Sequence, residues 1–140
     1  MIRGLVAAAV LATTLAEPAG ADMTPEPVAL LEGLDKITAR VSKFEAPVGA
    51  PVQFGTLAIR VRDCEKNPPE DTPESAAFVE IYETRTGEVK TRVFSGWMFA
   101  SSPALSALEH PVYDVILLDC RAASGSPRTA SGSAAGKEAR

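Results

Sequence analysis

Thr56-Leu-Ala-Ile-Arg-Val-Arg-Asp-Cys64 decides the fold class. Leu57, Ile59 and Val61 alternate with Ala58, Arg60 and Arg62, the period of two by which a strand buries one face and wets the other. The run ends on a cysteine, and the chain has one other, Cys120. Val52 to Phe54 extends the stretch upstream, with Gly55 expected to mark a bulge or kink.

The same period recurs on both sides. Upstream, Ile37, Ala39 and Val41 alternate with Thr38, Arg40 and Ser42, which predicts a strand from Ile37 to Phe44. Pro47, Gly49 and Pro51 then make a turn. Residues 22–35 carry Pro25 and Pro27 before Val28, Leu30 and Leu31, and read as a linker segment or a short helical turn.

Downstream, Glu65 to Ala76 holds Pro68, Pro69 and Pro73 among four acids and is expected to be an exposed loop. Those acids lack the alternating ligands and glycine of a calcium loop. Ala77–Glu83 and Val89–Phe94 predict a hairpin, with Glu80 and Glu83 facing Lys90 and Arg92. Ser102 before Pro103 predicts a short helix to about Leu108, the serine hydroxyl capping its first turn. Val112 to Cys120 is nearly continuous in Val, Ile and Leu, the composition of a strand buried on both faces. The sum is an all-β domain over 36–121, a mainly antiparallel sandwich or small barrel of five to seven strands, with one short helix before the last strand.

Outside that domain the ends read differently. Arg3, an apolar run from Leu5 to Leu15, and Ala19-Gly20-Ala21 have the layout of a signal peptide cleaved after Ala21, so 1–21 is expected to be removed and the product exported to the periplasm. About eleven apolar residues are too few to cross a bilayer core that needs about twenty, so no integral membrane insertion is expected after cleavage. The tail 122–140 is Ser, Gly, Ala and Thr with a few charges, and is expected to be disordered. In an oxidising compartment Cys64 and Cys120 are expected to pair, since a redox couple usually has the closer Cys-x-x-Cys spacing. In the chain-entropy view that bond stabilises a small domain by about 4 kcal/mol.

Charge and residue type exclude several functions. Residues 22–121 hold sixteen acidic and ten basic side chains, the reverse of what a nucleic-acid partner requires. His110 is the only histidine, and with both cysteines committed neither a metal site nor a cofactor is expected. No Gly-x-Ser-x-Gly, Walker or Gly-x-Gly-x-x-Gly motif is present. A hydrolytic enzyme using Ser101 or Ser102 with His110 and Asp114 is one alternative, though sequence proximity supplies no triad geometry. The aromatic-rich stretch from Phe94 to Tyr113 is the densest candidate site, with Trp97, Met98, Phe99, His110 and Tyr113 as candidate binding residues. The same rings also suit a small core. The reading from the residues is a non-catalytic accessory or binding module meeting an envelope protein or a small ligand. A purely structural envelope protein is a further alternative.

Phe94-Ser-Gly-Trp-Met-Phe-Ala-Ser-Ser-Pro103, the following Ala-Leu-Ser-Ala-Leu-Glu-His110-Pro111-Val-Tyr-Asp114, and Leu118-Asp-Cys120 resemble the C-terminal hallmark of domain of unknown function 2155. Leu34-Asp-Lys-Ile-Thr-Ala-Arg40, Phe54-Gly-Thr-Leu57 and Pro73-Glu-Ser-Ala-Ala-Phe78 fit the same pattern. The family comprises small exported proteins of Gram-negative bacteria. The resemblance covers residues 30 to 121, implies a periplasmic location and a Cys64 to Cys120 bridge, and implies no activity.

Overall fold

The computed structural model describes residues 22–123; the expected signal segment 1–21 and the tail from 124 onward lie outside the described residues. Eight strands run in chain order: β1 (Thr24–Pro25), β2 (Val28–Asp35), β3 (Arg40–Pro47), β4 (Val52–Phe54), β5 (Leu57–Lys66), β6 (Ser75–Glu83), β7 (Thr91–Phe99) and β8 (Tyr113–Arg121). Two of them, β1 and β4, are very short. One sheet has the order β3-β2-β8; in the larger, β5-β6-β7 are successive neighbours and β1 and β4 share the outer side of β5. Every pairing is antiparallel.

Both sheets are open, so the arrangement is a sandwich and not a barrel. Leu57, Ile59 and Val61 of β5 and Val79 and Ile81 of β6 face Leu31 of β2 and Val115 and Leu117 of β8, all fully buried. Each such side chain stabilises the fold by about 1.5–3 kcal/mol. The alternation read in Leu57 to Val61 is therefore the core face of the larger sheet.

Several sequence expectations are corrected. Residues 22–35 are no linker, since Val28–Asp35 is the central strand of the smaller sheet. The strand expected from Ile37 begins at Arg40, because Asp35 Oδ1 accepts the amides of Ile37 at 2.9 Å and Thr38 at 3.2 Å and folds the chain into a hairpin. Ile37 is left 75% exposed at its tip. The strand expected to stop at Phe94 continues to Phe99. The expected helix is a single 3₁₀ turn, Pro103–Ser106, and Ser102 beside it makes no side-chain capping bond. The last strand lies at an edge of its sheet and alternates between buried and half-buried positions. Gly55 sits in the tight turn joining β4 to β5, with φ +58°, and the Tyr113 ring occupies the place of its missing side chain.

Two bulges place the cysteines. In β5 the register with β6 shifts between Val61 and Asp63, so Arg62 is an extra residue. In β8 the register with β2 passes from Leu31 opposite Leu117 to Leu30 opposite Asp119, so Leu118 is extra. Strict alternation from Leu57 or Val115 would carry Cys64 and Cys120 to the outside; each bulge reverses the phase and turns its cysteine into the core. The two form a disulfide with Cα atoms 5.7 Å apart, joining one sheet to the other.

Residues 100–112 link β7 to β8 and travel from the disulfide end of the sandwich back to the opposite end. Leu108, buried against the core, holds the middle of this crossover.

Candidate functional site

The pleat of β7 separates residues that are adjacent in sequence. Met98 points inward and is 3% exposed. Trp97 points outward, 39% exposed, with its ring edge-to-face on Phe78 at 5.6 Å between centroids. Phe99 is half-buried and stands opposite Ala76, on the same outer face as Trp97 and Phe78.

His110 lies elsewhere. Its side chain is 3% exposed, and its Nδ1 accepts the backbone amides of Val112 at 3.0 Å and Tyr113 at 3.1 Å. That nitrogen therefore carries no proton, and Nε2–H donates to Glu83 Oε1 at 3.0 Å. The same oxygen accepts Thr56 Oγ1 and Arg85 Nε. Burial pushes the Glu83 carboxyl up, but the bonds from His110 and Arg85 outweigh it and hold it below the usual carboxylate range. Lys36 Nζ donates to the His110 carbonyl at 2.8 Å, fixing the crossover to the start of β3's hairpin. Tyr113 packs on the His110 ring at 5.3 Å and against Phe54, which stacks on Phe44. Glu83 and Phe78 are five residues apart on β6, so His110 and Trp97 attach to points about 17 Å apart. The expected binding cluster is thus divided: Trp97 and Phe99 on an outer face, Met98 in the core, His110 and Tyr113 in the closure of one end.

The serine, histidine and aspartate of the hydrolase alternative are also dispersed. Ser101 Oγ donates to Glu74 Oε2, and its amide to Oε1 at 3.1 Å. Burial raises the Glu74 carboxyl, and these bonds with the Ser75 amide lower it by more. Asp114 stands opposite Leu34, on the outer side of the smaller sheet. Among the described residues no hydrogen bond joins a serine hydroxyl to His110, whose ring nitrogens are both occupied.

Near the disulfide, buried Ser75 donates to Asp119 Oδ1 at 3.1 Å and accepts the Cys120 amide at 3.2 Å. Lys66 Nζ reaches the same carboxylate at 2.9 Å. This polar cluster joins β5, β6 and β8 beside the covalent link.

The outer face of the larger sheet carries the most distinctive surface. Phe78, Glu80 and Tyr82 are successive outward positions of β6. Beside them an open groove of about 310 Å³ is lined by Arg60, Arg62, Glu80, Tyr82 and Lys90, together with Pro51 and Ala58. The expected pairing of Glu80 and Glu83 with Lys90 and Arg92 does not form: Glu80 is held by Arg62 at 3.0 Å, Glu83 by His110 and Arg85. Lys90 instead lies over the Tyr82 ring, 4.7 Å from its centre.

Sequence reasoning set Glu83 against Lys90 and Arg92 and Glu74 in a solvated loop, and passed over Ser75 and Asp119. The partners that give them their roles, His110 for Glu83, Ser101 for Glu74 and Asp119 for Ser75, are 27 or more residues away, beyond any local spacing. The outward arginines were visible in the alternation of Arg60 and Arg62, yet their neighbours across the sheet were not.

Residues 29–120 match the family described as "Uncharacterized protein conserved in bacteria (DUF2155)". An uncharacterized protein of Rickettsia prowazekii (strain Madrid E) is 34% identical over 87 residues, 62% of this chain and 56% of that protein. The chain thus matches little more than half the length of that curated relative. No solved structure matches.

Proposed function

The chain belongs to the DUF2155 family of uncharacterized bacterial proteins, and from its surface we propose that it is a non-catalytic binding module of the cell envelope. Its docking face is the outer side of the larger sheet, around Trp97. The observation that carries this reading is the exposure of the chain's one tryptophan on a sheet face, backed by Phe78 and half-buried Phe99. Tryptophan ranks first among residues that anchor interfaces, and solvating such a ring has no structural benefit. The disulfide and the signal-like first 21 residues support a periplasmic setting, where thiols are oxidised. Among the described residues no helix is long and apolar enough to cross a membrane.

The test is photo-crosslinking in cells from a photoreactive residue at Trp97, with a control probe at Asp71 in the exposed loop. A discrete adduct from position 97 alone is expected. A folded variant that yields no adduct at 97, or the same adducts from both positions, rejects the docking face.

A further inference from the structure

Resting on that docking face, we propose that its groove at the Tyr82 end receives an acidic segment of the partner protein, the carboxylates held by Arg60 and Lys90 of the groove and by Arg92 opposite Tyr82. Between residues 22 and 121 acids outnumber bases sixteen to ten, so cations gathered on one part of one face depart from their surroundings. Arg60 and Arg62 reach the face from β5. Arg92 stands opposite Tyr82 and therefore shares its side of the sheet. Among the described residues Glu80 is the only carboxylate that lines the groove, and Arg62 already satisfies it with two nitrogens, at 3.0 and 3.1 Å. Arg60, Lys90 and Arg92 are left without an ion pair among the described residues. The acids that β5 adds to this face, Asp63 and Glu65, lie at its other end, in the rows of Phe78 and Ala76 that Trp97 and Phe99 share, so the cations are gathered at the Tyr82 end.

Geometry favours a polypeptide over an anionic polysaccharide. A sugar ring stacks on an open aromatic face, but in the groove Lys90 covers the Tyr82 ring. What the face offers is guanidinium forks, which take carboxylates two bonds at a time, beside an aromatic anchor. Arg, Tyr and Trp are the residue types that dominate protein interfaces. From Phe78 to Tyr82 is four residues of β6, about 13 Å, a span that about four extended residues of a partner cover.

The experiment places a photoreactive residue at Ser95, outward and opposite Glu80, which leaves Trp97 intact. Adducts are compared between the otherwise native chain and an Arg60→Glu/Lys90→Glu variant whose urea midpoint confirms that it folds. The expected result is an adduct that mass spectrometry maps to an Asp/Glu-rich segment of another protein, reduced about tenfold in the variant. An adduct of equal strength in the variant overturns the acidic segment and leaves the docking face standing; an adduct to a second copy of this chain also overturns it. Failure of the Trp97 probe would strike the docking face itself. In vitro, fluorescence of Trp97 is titrated with a ten-residue polyglutamate peptide, a polylysine peptide and polygalacturonate. A response to polyglutamate that falls with salt and weakens about tenfold in the variant supports the proposal, while an equal or stronger response to polygalacturonate or polylysine overturns it.

Discussion

At one end of the sandwich Cys64 and Cys120 join the sheets covalently, with Ser75, Asp119 and Lys66 arrayed beside the bond. At the other end the same closure falls to hydrogen bonds gathered on Glu83 from His110, Thr56 and Arg85. The first is covalent and needs an oxidising setting, with carboxylates only beside the bond; the second has no covalent part and rests on one carboxylate. A small domain with open sheets needs both ends shut, and only one of them is closed by a covalent bond.

Breaking the covalent end has the largest expected effect. Cys64→Ala with Cys120→Ala should lower stability by about 2–5 kcal/mol, read as a lower urea midpoint near neutral pH. An unchanged midpoint would show that Ser75 and Asp119 suffice to close that end.

At the opposite end, Gly55→Ala combines a positive φ with a methyl driven into the Tyr113 ring, and should cost about 2–3 kcal/mol. His110→Ala strips Glu83 of a donor and leaves the amides of Val112 and Tyr113 without their acceptor, for about 2 kcal/mol. Hydrogen exchange in the His110 variant should rise at Val112 to Asp114 and stay protected around Ala76 and Cys120.

Acid should act where carboxylates do the holding. Glu83 and Glu74 have folded values below the ordinary 4.5, so their contribution is complete above about pH 4.5 and is lost as pH falls through the folded values. Urea midpoints at about pH 7 and pH 3 should therefore differ less in Glu83→Gln than in the native chain, with the disulfide intact in both. An equal pH dependence in the two would remove Glu83 from the account. The smallest effect is expected away from both ends: Trp97→Ser should cost less than about 1 kcal/mol, being the loss of one exposed aromatic pair. A larger loss would make Trp97 part of the scaffold.

The all-β class, the disulfide and the core face of β5 were legible because they rest on alternation and on two cysteines. Val28 to Asp35 was not, since Leu30 and Leu34 point outward while Ala29, Leu31 and Gly33 point inward, and apolar residues on both sides erase the period. Ile37 and Ala39 kept a false period through a turn that the Asp35 side chain makes. Val112 to Cys120 looked buried on both faces because Ile116 faces outward next to Leu34 and Val41, and Leu118 is the extra residue of a bulge. The candidate site was read as one cluster from Trp97 to Tyr113. Sequence distance concealed that a pleat divides Trp97 from Met98 and that the crossover carries His110 to the far end. The arginine groove was out of reach for a related reason: it is built across β5, β6 and the segment leading into β7, and only the register brings those strands together.

The extra residues Arg62 and Leu118 make the disulfide a proofreader of strand alignment. A chain that slips by one residue in either sheet carries a cysteine outward, and the bond cannot close. Oxidation therefore selects molecules in which both sheets are already in phase. Misaligned ones keep both thiols free and open to exchange, and so to another attempt.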